Sequence, residues 1–226
     1  MKNLMMRNVS GMGMGLLIAA VLVVVLAVAV PANADTFSLT SDHCTGTCGT
    51  APFGTVTLLQ NGTTVDVTVH LNTGNSFVMT GAADFQNFKF NAVDVVLGDI
   101  TVSAHVPVLA AATGAFNGDG TGDFAFGINC PSCANGGAGA FTTDIVFHVA
   151  NATLADLEHT NSLGNIFVAD ILGANGNTGP VDASCPVETS CLPLPRVPEP
   201  ASLLLLGSGL ARLGLWGRKR LKNIEG

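Results

Sequence analysis

The stretch GTVTLLQNGTTVDVTVHL, residues 54–71, admits few folds. Val65, Val67, Val69 and Leu71 alternate with Asp66, Thr68 and His70, so apolar side chains recur with a period of two. A helix would spread them around its circumference. A strand places them on one face, which a second layer must then cover. Asn61-Gly62 is the favoured two-residue hairpin turn and makes residues 55–60 the antiparallel partner. Further strands are expected at 76–80, 87–92, 99–106, 124–128, 142–149 and 165–169, punctuated by glycine-rich stretches at 113–122, 135–139 and 173–179. No segment sustains a 3.6-residue period, and Leu154-Ala155-Asp156-Leu157 reads as one helical turn at most. Many short strands between Gly/Asn turns predict an all-β fold, a single antiparallel β-sandwich or jelly-roll-like domain.

Both ends of the chain have a different character. Lys2 and Arg7 precede an unbroken apolar run over residues 16–30, then Pro31 and ANAD. A basic start, an apolar run of that length and Ala32-x-Ala34 make a secretory signal peptide, with cleavage after Ala34 and Asp35 as the mature start. An uncleaved membrane anchor is the alternative. At the other end, VPEPASLLLLGSGLARLGLWGRKR joins Pro198-Glu199-Pro200, an apolar run at 201–216 and the basic residues Arg218, Lys219, Arg220 and Lys222. Arg212, near the end of the run, can snorkel to the interface, and the basic cluster places the extreme C-terminus in the cytoplasm. The run is slightly short beside the ~17–25 residues usual in a spanning helix.

This three-part ending resembles the PEP-CTERM sorting signal. The resemblance covers about 25 of 226 residues and is specific in its order. It implies export by a Gram-negative bacterium and an inner-membrane intermediate held by the C-terminal transmembrane helix. It also implies processing near the motif by an exosortase-type enzyme, then placement at the cell surface or in the extracellular matrix. Hosts of such proteins commonly make exopolysaccharide, which the resemblance brings in as a partner. An ordinary C-terminal anchor is the alternative reading of the same residues. FAFGINCPSCANGGAGAFTTDIVFHVANATLADL and FVADILGANGNTGPV are similar to segments of PEP-CTERM proteins of unassigned function.

The expected organisation is therefore a signal peptide at 1–34, a β-sandwich at 35–178, a Pro-rich stalk at 179–197 and the sorting signal at 198–222. Between Asp35 and Val197 there are twelve Asp and two Glu against Lys89 and Arg196, a net charge of −12. Nucleic acid, which needs a basic footprint, is excluded as a partner. Anionic polysaccharide would need a bridging divalent cation; a single-sign surface otherwise serves solubility.

Six cysteines, Cys44, Cys48, Cys130, Cys133, Cys185 and Cys191, form three close couples in this region. An even count in an exported chain implies disulfides; six cysteines allow 15 pairings, and the spacing suggests three local bridges. CPSC at 130–133 follows a strand and precedes ANGGAGA, a poor helix start, so a stapled turn is expected rather than a redox motif. A zinc site from the first four cysteines is the remaining alternative. In NGDGTGDF, Asn117, Asp119, Thr121 and Asp123 alternate like the early oxygen ligands of a calcium loop, but Ile128 stands where a bidentate Glu belongs. A Gly/Asp hairpin loop explains the same residues, so calcium is the only cofactor the pattern admits.

Catalytic signatures are missing from the sequence. There is no G-x-S-x-G, no H-E-x-x-H and no phosphate-binding glycine loop, and Lys89 is the only lysine of the body. His43, His70, His105, His148 and His159 are scattered, with His70 and His148 on the polar faces of strands. The only Trp is Trp216, in the tail, and there is no Tyr, so an aromatic sugar platform is not expected. Phe85, Phe88 and Phe90 fit core positions of a strand. The expected role is a non-enzymatic surface or matrix protein, with a calcium-dependent carbohydrate-binding or adhesive module as the alternative.

Overall fold

In the computed structural model, which describes residues 33–81 and 84–184, the alternating run becomes two eight-residue strands, β3 (Gly54–Asn61) and β4 (Thr64–Leu71). Val56 stands opposite Val69 and Leu58 opposite Val67. Val56, Leu58, Val65, Val67 and Val69 are fully buried, whereas Thr57, Asp66 and Thr68 occupy the other face. The turn lies one residue later than expected: Asn61 still pairs with Thr64, and the loop is Gly62-Thr63. Gly62 has φ of 61°, as the first position of a type II′ turn requires. The core decides this register, since a slip of one residue would turn every valine to water.

Ten further strands are formed by the described residues. Three join the hairpin: β1 (Ala34–Leu39), β7 (Ile100–Val102) and β10 (Ile145–Ala150). Seven others are β2 (Ser41–Asp42), β5 (Ser76–Phe77), β6 (Phe88–Phe90), β8 (Ala110–Asn117), β9 (Asp123–Asn129), β11 (Asn165–Leu172) and β12 (Thr178–Ser184). The smaller sheet has the order β1-β3-β4-β10-β7; the larger runs β2-β12-β11-β6-β9-β8, with β5 also on β11. Every pairing is antiparallel, as an all-β sequence pattern predicts. The one α-helical turn among the described residues is α1 (Leu154–Leu157), which buries Leu154 and Leu157. Asp156 accepts hydrogen bonds from the amide and hydroxyl of Thr153, capping its start.

Phenylalanines join the two sheets into a sandwich. Phe147 on β10 lies 5.2 Å from Phe90 and 6.0 Å from Phe88, both on β6. Phe37 on β1 meets Phe167 on β11 edge-on at 5.2 Å. Phe88 and Phe90 thus take the expected core positions, but Phe85 does not. It precedes β6 and is 46% exposed.

Four strands were not expected from the sequence, β1, β2, β8 and β12, and the last of them crosses the expected boundary between sandwich and stalk. Residues 179–184, assigned to the head of the stalk, belong to β12, which lies within the larger sheet between β2 and β11. Pro180 is tolerated there because it stands opposite Asp170, whose amide donates to Asn87 and whose carbonyl accepts from Val78. That rung asks nothing of the Pro180 nitrogen, and the Pro180 carbonyl accepts from the His43 amide. β8, read as glycine-rich punctuation from residue 113, is an edge strand whose register shifts between Thr113 and Phe116. The signal-peptide residue Ala32, Cys185, Cys191, Pro198, Glu199, Pro200, Arg218, Lys219 and Arg220 lie outside the described residues.

Phe147 supports both β6 rings, so Phe147→Ala should cost about 3–5 kcal/mol of stability in urea unfolding. A loss below about 1 kcal/mol would show that the sheets are not joined through this ring.

Candidate functional site

The first four cysteines form two local bridges. Cys44 is bonded to Cys48, with Cα atoms 5.5 Å apart, and Cys130 to Cys133, with Cα atoms 5.3 Å apart. CPSC closes a turn at the end of β9, where the Cys133 amide donates to the Cys130 carbonyl. Asp42 lies with Cys44 and Cys48, but the two sulfurs are bonded to each other and offer no thiolate to a metal. Asp42 serves the loop instead, accepting from the Thr47 hydroxyl and from the amides of Cys44 and Cys48. Burial acts to raise its pKa, but these donors, helped by His43, outweigh it and hold the carboxyl below its usual value. Gly173 and Gly179 pack against the backbones of Cys48 and Cys44, where a Cβ would overlap them.

The residues of the calcium-like pattern form the β8–β9 hairpin. Asn117 stands opposite Asp123 in the ladder and donates to its carboxylate at 2.9 Å. Asp119 is exposed, whereas Thr121 is fully buried, and its hydroxyl donates to the Gly118 carbonyl. The Thr121 carbonyl in turn accepts from the side-chain amides of Asn161 and Asn165. The structure thus brings Asn117 and Asp123 together and commits the Thr121 hydroxyl to the turn.

Three histidines pair with aspartates that sequence separation had concealed. His70 lies 2.8 Å from Asp144, His43 lies 2.7 Å from the buried Asp182, and His148 Nδ1 lies 2.6 Å from Asp66. Ser103 Oγ is 3.0 Å from His148 Nε2, which completes a serine–histidine–aspartate chain from the residue after β7 through β10 to β4. The connectivity is that of a hydrolytic triad. Its setting is different, because the chain lies on the outward face of the smaller sheet, with 41% of the His148 side chain and 26% of Asp66 exposed. Asp66 is partly buried but still reaches water, and such a carboxylate holds an imidazole less firmly than a fully buried one, so the drive to activate Ser103 is weak.

The strongest electrostatic feature is the body's only lysine. Lys89 lies between Phe88 and Phe90, so those rings enter the core and Lys89 takes the opposite face of the larger sheet. It is nonetheless fully buried. Gly127 and Val168 stand beside it in the ladder, Gln86 packs over Gly127, and Gly118 lies over the lysine stem and Val168. Its Nζ lies 2.9 Å from Asp170 Oδ2, 2.8 Å from Asp84 Oδ2 and 3.4 Å from the Gln86 carbonyl. Burial acts to lower the Lys89 pKa, but the two carboxylates outweigh it and raise it. Burial raises Asp170 to about 7 against the pull of Lys89, with Asp84 adding repulsion. One ammonium cannot neutralise two carboxylates, so burial and the neighbouring Asp84 bias Asp170 towards its acid form.

Comparison with protein-family models, curated proteins and solved structures found no match to this chain. No helix among the described residues is long and apolar enough to cross a membrane.

Because folding lowers the Asp42 pKa, its contribution is complete above the unfolded value of 3.8 and is lost as pH falls through the lowered one. As pH falls from about 5 through the lowered pKa, the amides of Cys44 and Cys48 should lose hydrogen-exchange protection relative to those of β4. Asp42→Asn should abolish that pH dependence and cost roughly 1 kcal/mol. Unchanged relative protection would show that the carboxylate does not hold the loop.

Proposed function

We propose that this chain is an exported, non-enzymatic cell-surface or extracellular-matrix protein, associated with exopolysaccharide or biofilm and sorted by an exosortase-type system. Its body is a jelly-roll-like sandwich between a cleaved signal peptide and a C-terminal sorting helix. The observation that carries the reading is the ordered ending, Pro198-Glu199-Pro200, an apolar run and Arg218-Lys219-Arg220. The domain supports it in two ways. Two local disulfides suit an oxidising compartment, and with Lys89 buried the described surface displays carboxylates without Lys or Arg. Such a surface repels nucleic acid and anionic lipid and stays soluble outside the cell.

A calcium-dependent carbohydrate-binding or adhesive module is the second reading. It is favoured by the exposed Asp119 and Asp123 on one hairpin. Calcium bound only to the native state would raise the melting temperature, and no shift would dismiss this reading.

Changing Pro198, Glu199 and Pro200 together to Ala in the full chain should retain the protein in the membrane fraction of its host, with little released. Release equal to wild type would overturn the sorting assignment. A serine-reactive fluorophosphonate should leave Ser103 unmodified. Labelling that Ser103→Ala and His148→Ala both abolish would overturn the non-enzymatic assignment.

A further inference from the structure

The Lys89 cluster has the composition and geometry of an amide-forming site. An amine condenses with a carboxyl group when it is held against it, when water is excluded and when a neighbour accepts its proton. All three conditions meet here. Lys89 Nζ and Asp170 Oδ2 are 2.9 Å apart, both side chains are fully buried, and Asp84 Oδ2 lies 2.8 Å from the same nitrogen.

We propose that Lys89 and Asp170 condense after folding into an intramolecular isopeptide bond, with Asp84 accepting the amine proton. This inference rests on the cluster alone and is independent of the export reading.

The atoms balance. The starting state holds Lys89 as ammonium, Asp84 as carboxylate and Asp170 as carboxylic acid. The ammonium passes one proton to Asp84, and the free amine attacks Asp170 Cγ. The resulting tetrahedral centre transfers an N–H proton to one of its hydroxyl oxygens and expels water. The products are a secondary amide between Lys89 and Asp170, a neutral Asp84 carboxyl and one water. No oxidant, reductant or activating group is consumed.

Three observations favour Asp170 as the acyl partner and Asp84 as the proton acceptor. Asp170 sits on β11, directly beside β6, and its amide and carbonyl are both held on that edge, by Asn87 and Val78 respectively. Its acid form is the form that condenses, and burial already pushes the carboxyl towards it. No described donor reaches its second oxygen, Oδ1. Asp84 lies instead in the connection between β5 and β6.

The reaction also removes a physical cost. A buried ammonium–carboxylate pair carries a desolvation cost that its attraction need not repay, whereas an amide beside a neutral carboxyl group carries no charge. The link would tie the three-residue β6, which pairs with β11 over only three rungs, to the middle of the larger sheet.

The test is peptide mapping of the folded full chain after unfolding, reduction and chymotryptic digestion. The expected product is a branched peptide joining the Lys89 and Asp170 segments, lighter than their sum by one water. Its recovery should replace the two linear peptides in most molecules. Two linear peptides at full recovery from folded protein would overturn the proposal, and a branch from Lys89 to Asp84 would overturn the assignment of partners. Asp84→Asn should fold and yield only linear peptides. A branched peptide from that variant would remove Asp84 from the chemistry; if the variant does not fold, the wild-type map alone decides.

Discussion

One ammonium group shared by two carboxylates in the middle of the larger sheet constrains what surrounds it. Lys89 alternates with two core phenylalanines, so it must leave the sandwich by the outer face of β6. Asp170 faces it from the neighbouring strand and Asp84 from the connection before it. A group paired in that way tolerates being covered, and residues 84–86 and the β8–β9 hairpin cover it. The hairpin that carries the Asn/Asp/Thr pattern is therefore also a roof. Gly118 lies against the lysine stem, and the buried Thr121 closes the turn beneath the exposed Asp119.

The two faces of the sandwich are built differently. The smaller sheet turns outward a polar face in which histidine and aspartate meet across neighbouring strands, half in water. The larger sheet covers its central outer face and places its charge inside. Between them lie the phenylalanines, which give the core its volume without tyrosine or tryptophan. The disulfides work at the margins, each closing a loop of a few residues and leaving the sheets to hydrogen bonding and packing.

Much of this was legible in the sequence, for identifiable reasons. The hairpin of β3 and β4 was plain because eight-residue strands with one buried face alternate cleanly. β12 was not, because Pro180 and the glycines near it resemble a linker, and only the partner's hydrogen bonding shows why proline fits. β8 was obscured because alanine and glycine on an edge leave no period to detect. The couples Cys44/Cys48 and Cys130/Cys133 signalled their own pairing by proximity. The Asp66–His148–Ser103 chain and the Lys89 cluster had no such local signal, since both depend on strand order. A lone lysine inside FKF, in a body with fourteen acids, was the one available hint.

The proposal joins an acidic, stapled sandwich to a sorting signal at its C-terminal end. Its central claim concerns the ends of the chain, and the most direct measurement is terminal sequencing by mass of the protein recovered outside the host's cells. The account predicts a chain that starts at Asp35 and stops near Pro198–Pro200. A protein found only in membranes, with Gly226 still at its C-terminus, would contradict it and make the tail an ordinary anchor.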